Sequence, residues 1–390
     1  MTSAQPARNK TTNFCFVMPF HISENRGGGA EVQAWLLARE LAARGYQVAY
    51  IAQSVQEKVG AVESIDGVTV HWVRPVNRLP WTNSRQYFRA MNATDAEVVV
   101  QRMTNFHTGT IAFWCHRHDR RFIWMCTDDT ACAKWHAVRR FRDAIQQVRR
   151  PIIKRLSLLA IALITDIWRN WGMRHVSVAF TQNDVQSKRV ASDFSLNSKR
   201  IFSGHVPPDK QNDPLKRLRR PIVLWVANLG PRKQPERFFE MARAAGESDF
   251  RFVMIGSHGD PTYLSQLFND KPANLEWLGK LPFEKTLEWF DLAAFFVNTS
   301  TWEGFPNTFV QAWLRGVPVF SLNVDPDQVV TQNALGQVDP EPVQLLKSIR
   351  ALASDPERYE ALSLRVQDYA NRHHSIEQMA DFFLRDIKQS

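Results

Sequence analysis

Asn13-Phe14-Cys15-Phe16-Val17-Met18-Pro19-Phe20 is an apolar run of strand length, followed after a polar loop by Gly27-Gly28-Gly29. Behind the glycines, Val32, Leu36, Leu37 and Leu41 recur at i, i+4, i+5 and i+9, the spacing of one apolar helix face. Gly45 stands where such a helix ends in a left-handed residue, and a second apolar run, 47–53, comes directly after it. Strand, glycine loop, helix and strand within about 40 residues make a βαβ unit, and hence a parallel sheet.

Working outward, the pattern predicts strands at 68–74, 97–103, 122–126 and 177–181. The texture changes at 206–221, where four prolines and many charges with few apolar groups read as a linker. The α/β alternation then restarts. Strands at 222–227, 250–255, 275–278, 294–298 and 317–322 alternate with helical stretches at 234–245, 263–268, 284–290 and 308–315. An amphipathic helical tail fills 356–388. The expectation is an α/β chain of two Rossmann-like doubly wound domains, a division that suits 390 residues. Residues 1–205 form the first domain, joined by the tail helix from about 373 to 390; 206–221 is the linker and 222–372 the second domain. A cleft between the carboxyl ends of the two sheets is the default active site.

Composition excludes several classes. An apolar share of 44% with 23% charged residues is that of a globular chain. Residues 1–13 are polar, and the run 14–20 is too short for a signal-peptide core before His21, Ser23 and Glu24 interrupt it, so a cytoplasmic location is expected. Cys15, Cys115, Cys126 and Cys132 form no CxxC and no disulfide framework, and read as buried thiols. Residues 1–200 carry 28 Lys and Arg against 15 Asp and Glu, whereas 201–390 carry 21 against 24. One half therefore faces something anionic. Nucleic acid is not the partner expected, since no RNP, zinc or helix-turn-helix pattern accompanies the charge.

The densest chemistry lies in Asn298-Thr-Ser-Thr-Trp-Glu303-Gly304-Phe305-Pro306-Asn307-Thr308-Phe-Val-Gln311-Ala-Trp313. A strand ends near Asn298, a loop carries Glu303, and a helix opens around Asn307. Unpaired N–H groups at a helix start suit a pyrophosphate, Gly304 permits close backbone approach, and Pro306 suits an N-terminal position. Gln311, one turn into the helix, has the reach for a ribose. This stretch resembles the Glu-x7-Glu signature of the retaining nucleotide-sugar glycosyltransferases of family 4, which share the two-domain GT-B fold. The resemblance implies that Glu303 contacts the donor sugar and that position 311, here Gln rather than Glu, binds ribose hydroxyls. A second stretch, Val226-Ala-Asn228-Leu-Gly-Pro-Arg232-Lys233-Gln-Pro235, is similar to the family's Gly-Arg-Leu…Lys-Gly loop, in which an Arg and a Lys neutralise the diphosphate. Lys233 matches the Lys; Asn228 stands at the Arg position, with Arg232 as its substitute. Gly27, Gly28 and Gly29 look like the family's N-terminal glycine loop facing the donor phosphate. Arg102 falls where many relatives carry a His in the cleft, and His107 and His205 are further cleft candidates. The plain alternatives are a Glu capping a loop, a surface Arg–Lys pair, a tight turn and structural histidines.

What the resemblance implies is a hexosyltransferase acting with retention on a nucleotide diphosphate sugar, with Glu303 and Lys233 as the catalytic residues. No cofactor and no metal are expected, because fixed cations stabilise the leaving diphosphate. Asp325-Pro-Asp327 has the Asp-x-Asp form of a metal motif from a different glycosyltransferase fold, but lies late in the second domain. Asp128-Asp129 ends a first-domain strand and is a candidate on the acceptor side. The acceptor expected is a glycan or lipid-linked sugar of exopolysaccharide or cell-surface glycan synthesis. Alternatives are another GT-B enzyme, such as a nucleotide-sugar epimerase or a glycogen-synthase-like polymerase, or a weakly catalytic binding member of the family.

Residues 139–171 bear on the acceptor. They carry Arg139, Arg140, Arg142, Arg149, Arg150, Lys154 and Arg155, then the apolar run 156–164, with Trp168 and Trp171 beyond. A basic helix with an apolar face can lie peripherally on an anionic membrane surface. A first-domain helix buried on one side, with a solvated basic end, is the other reading.

Overall fold

The computed structural model describes residues 13–24, 28–54, 58–76, 79–147, 151–210, 213–246, 250–258 and 260–388. Gly27, Arg149 and Arg150 lie outside these described residues. The chain divides into two compact units, one running through Ile201 and resuming at Ala380, the other Phe202–Met379. Residues 206–221 fall inside the second unit, where Pro214–Arg217 form a short helix capped by Asp213.

The first unit is built on eight strands: β1 (Asn13–Val17), β2 (Gln47–Gln53), β3 (Val62–Ile65), β4 (Val68–Val73), β5 (Val98–Gln101), β6 (Arg121–Met125), β7 (Val178–Thr181) and β8 (Ser198–Arg200). Their order in the sheet is β3-β4-β2-β1-β5-β6-β7-β8, parallel throughout except that β3 runs antiparallel to β4. β1 sits between β2 and β5, with Phe14 opposite both Val48 and Val98. The central strands are buried on both faces, which is why they read as continuous apolar runs rather than alternating ones. Phe383, near the end of the last helix, packs on Phe14 and Phe180 at ring separations of 5.9 and 5.7 Å.

The second unit holds β9 (Ile222–Val226), β10 (Arg251–Ile255), β11 (Leu275–Trp277), β12 (Phe295–Asn298), β13 (Val319–Ser321) and β14 (Gly336–Val338) in the order β11-β10-β9-β12-β13-β14, all parallel. Trp225, Phe238, Phe252 and Phe295 pack on one side of it; Phe296, Phe309, Trp313 and Leu224 pack on the other. Gly256, just after β10, has a φ of +146°, and a Cβ there would lie 1.8 Å from the Ala227 carbonyl oxygen. Only glycine lets the β10 loop lie against the β9 loop.

The helical tail consists of two helices, Pro356–His373 and Ile376–Lys388. The break has a local cause. His205 N–H donates to the His374 carbonyl at 2.9 Å, and Ile376 N–H donates to the His205 carbonyl at 3.0 Å, so this backbone bonds sideways instead of along a helix.

Candidate active site

In a doubly wound sheet, the place where neighbouring strands lead away in opposite directions opens a crevice at their carboxyl ends. β9 is that place in the second unit, because β10 lies on one side of it and β12 on the other. The loops after β9 and β12 therefore emerge side by side, and they carry the two stretches singled out in the sequence.

After β9 the chain makes a single 3-10 turn, Pro231–Lys233, and then places Gln234 in the left-handed region at φ +44° before the helix Pro235–Ala245 starts. That non-glycine left-handed residue turns the Arg232 and Lys233 peptides toward the β12 loop. Thr301 N–H donates to the Arg232 carbonyl at 2.9 Å, and the Thr299 hydroxyl donates to the Lys233 carbonyl at 2.6 Å. The Trp225 indole in turn donates to the Thr299 hydroxyl at 2.8 Å.

These bonds bring two side chains together. The Lys233 ammonium is in direct contact with Glu303 Oε1, and the Ser300 hydroxyl donates to the same oxygen at 2.8 Å. The side chains of Lys233 and Glu303 are only 16% and 14% exposed. Burial lowers the Lys233 pKa from its ordinary value, and the Glu303 carboxylate opposes that shift. One of the three ammonium donors is committed to Glu303, leaving capacity for an anion. The Arg232 guanidinium lies over the Trp302 ring, 4.5 Å from its centroid. Asn228 is exposed on the same loop.

The other residues singled out take different positions. Asn307 and Thr308 open the helix Asn307–Trp313 and are half-buried, while Pro306 precedes the helix as its cap. Gly304 is buried beside Glu303. Phe305 turns into the core, 5.0 Å from the His374 ring and 6.3 Å from Trp313, so that position offers a ligand its backbone. Gln311 lies about one turn into the helix Asn307–Trp313 and is 6% exposed. Asp325 accepts from the backbone N–H groups of Val330 and Thr331 at 2.7 and 3.2 Å, which makes it an anchor for the short helix Val329–Gln332. His205 is buried in the bridge to Ser375.

In the first unit, Gly28 caps the helix Gly29–Ala43, and its N–H donates to Glu31 Oε2 at 2.8 Å. The Gly28 N–H is thereby taken by the first turn of its own helix. Arg102 follows β5, is 2% exposed, and has its pKa lowered to about 10 by burial. His107 starts the helix His107–Arg117 and lies against Tyr87 at 4.1 Å. Burial pushes the His107 pKa down to about 3, and neither ring nitrogen has a hydrogen-bond partner among the described residues. Asp129 accepts from Asn183 and Gln186 at 3.0 Å each.

Thr299, Ser300, Trp225 and Trp302 shape this site without having been singled out in the sequence. The three loop residues lie within the quoted stretch, and their signal was position alone, between a strand end and a helix start. Nothing in the sequence marks Trp225 apart from a core strand residue.

Two family models match the chain, one described as Glycosyl transferases group 1 over residues 220–355 and one as Glycosyltransferase Family 4 over residues 27–165. The first covers β9 to β14 with Lys233 and Glu303; the second covers β2 to β6 with Gly28, Arg102 and His107. Among solved structures, sucrose-phosphate synthase from Thermosynechococcus elongatus is similar with a TM-score of 0.73 at 14% identity, over 97% of this chain and 98% of that one. HepE from Anabaena, solved in complex with UDP and glucose, has a TM-score of 0.68 at 13% identity, over 97% and 100%. WaaG, a glycosyltransferase involved in lipopolysaccharide biosynthesis, has a TM-score of 0.63 at 15% identity, over 95% and 98%. No curated protein sequence matches the chain.

Proposed function

From the premise that this chain is a glycosyltransferase of group 1, family 4, with the GT-B fold of two parallel-sheet domains, we propose that it moves a sugar from a nucleoside diphosphate donor to a glycan or lipid-linked acceptor. In this reading the anomeric configuration is retained, and the product belongs to exopolysaccharide or another cell-surface glycan.

The observation that carries the reading is the Lys233–Glu303 pair at the switch point of the second sheet. Transfer adds a negative charge to a diphosphate that already carries two, and a cation fixed in a poorly solvated place stabilises it better than a mobile one in water. Lys233 is held there by Glu303 before any donor arrives, so little reorganisation remains at the moment of reaction. Arg232, braced on Trp302, supplies the second cation. Glu303 has two carboxylate oxygens; one receives Lys233 and Ser300, and the other orients a donor hydroxyl. The acceptor hydroxyl attacks from the leaving-group side, and its proton passes to the diphosphate oxygen as the bond to the sugar breaks. With two fixed cations on that oxygen, no metal ion is required.

The reading is tested by thermal unfolding across a panel of nucleotide sugars, headed by UDP-glucose because the similar HepE was solved with UDP and glucose. A donor that binds only the folded chain raises the melting temperature. The same donor must then release free nucleotide faster when a glycolipid acceptor is added. A melting temperature unmoved by every member of the panel overturns the proposal.

A further inference from the structure

The helix Ile152–Met173 is anchored along only one half. In its C-terminal half, Asp166 accepts from the backbone N–H groups of Ala137 and Val138 at 2.9 Å each. Arg169 donates to the carbonyls of Ala131 and Ala133 at 2.6 and 2.7 Å. Gly172 crosses the helix His107–Arg117 so closely that a Cβ on it would fall 2.6 Å from Gly109 Cα. The first turns, residues 152–157, are exposed on every side.

Those turns are not polar. Ile152 is 72% exposed, Ile153 80%, Leu156 61%, Ile164 46% and Ile167 62%, and Leu163 is exposed beside them. At 3.6 residues per turn these six, with Ala160, fall within an arc of about 120° along about 24 Å of helix. The buried positions Ala162, Asp166, Arg169 and Met173 lie on another side of the helix. A continuous aliphatic stripe facing outward needs a cover, since water is a poor neighbour for it.

Charge decides which cover. Lys154 and Arg155 flank the stripe, and the adjoining helix His136–Gln147 exposes Arg139, Arg140 and Arg142. Two copies of this chain meeting stripe to stripe would bring two basic surfaces into one interface, where like charges repel. An anionic surface turns the same cations into attraction. At the anchored end, Trp168 stacks on Trp171 at 5.1 Å and meets the exposed Phe113 at 6.0 Å, an aromatic group of the kind that sits at headgroup level. Among the described residues no helix is long and apolar enough to cross a membrane.

We infer that the Ile152–Ile167 stripe docks in the plane of a lipid bilayer bearing anionic headgroups, its aliphatic edge in the acyl boundary and its cations among the phosphates. This goes beyond the proposed sugar transfer and does not depend on it. The test is co-sedimentation of the full chain with vesicles of phosphatidylcholine alone, or of phosphatidylcholine mixed with phosphatidylglycerol. The wild-type chain is expected to pellet with the mixed vesicles, and less so as salt rises.

Ile153→Ser/Leu156→Ser/Ile167→Ser touches only exposed side chains, so its melting temperature should match wild type. Its vesicle affinity should fall by about tenfold or more for each side chain. Lys154→Gln/Arg155→Gln should cost about fivefold per charge on mixed vesicles. Val185→Ser, at an equally exposed apolar residue away from the stripe, should change nothing. Equal binding to both vesicles, binding to neither, or unchanged binding of the triple variant overturns the inference. So does a concentration-dependent dimer that the triple variant abolishes in the absence of any vesicle binding.

Discussion

Replacing Glu303 by Ala removes a carboxylate from beside an ammonium that is itself only 16% exposed. Two losses follow: Lys233 keeps its burial without its counter-charge, and the Ser300 hydroxyl loses its acceptor. Breaking a fully buried pair from one side costs 3–5 kcal/mol, so this slightly wetter pair should cost about 3 kcal/mol. In a unit of the size of Phe202–Met379, each kcal/mol moves the transition by about 2–4 °C, and the expected drop is about 6–12 °C. The sign of the pH dependence is fixed by Lys233. Its folded pKa lies below the ordinary 10.5, and loss of Glu303 lowers it further. Between the folded value and 10.5 the unfolded chain holds the extra proton, so stability rises with pH there. The gap between wild type and variant is therefore widest near neutrality and narrows toward pH 10.5. Nucleotide release at saturating donor should fall by at least about tenfold at neutral pH, the worth of one positioned polar contact. Lys233→Met/Glu303→Leu should regain most of the stability and none of the turnover. A Glu303→Ala chain that melts with wild type at neutral pH, with no trend toward alkaline pH, would refute the pairing.

Gln311→Glu should fold and turn over donor, since it restores the family's residue. At a 6% exposed site its carboxyl pKa should be raised by burial, so the variant should lose stability relative to wild type as pH rises above about 4.3, in thermal melts across that range. Chelation should leave nucleotide release unchanged; loss on chelation with recovery on magnesium or manganese would instead bring Asp325 and Asp327 into the chemistry. Gly172→Ala should destabilise by about 1–3 kcal/mol or more, read by urea unfolding, because its Cβ would meet Gly109 at 2.6 Å.

The buried strands were legible because burial on both faces demands unbroken apolar runs, and 47–53 was located to the residue. The edge strands Val62–Ile65, Ser198–Arg200 and Gly336–Val338 were not, since an edge pairs on one side and tolerates polar or exposed residues. The helical character of 356–388 was legible, but the break at His374-Ser375 was not, because a partner distant in sequence makes it. Lys233 and Glu303 were each visible from motif spacing. That they touch, and that Thr299 and Trp225 hold their loops, depends on strand order, which periodicity does not encode.

Because Trp225 reaches Thr299, and Thr299 and Thr301 reach the carbonyls of Lys233 and Arg232, the two loops share one set of braces. Anyone transplanting a donor site between relatives of this fold must therefore move 225–235 and 298–313 together. A chimera that imports one segment alone would set a new loop against a tryptophan and a lysine shaped for the old one, and its failure would say nothing about the imported sequence.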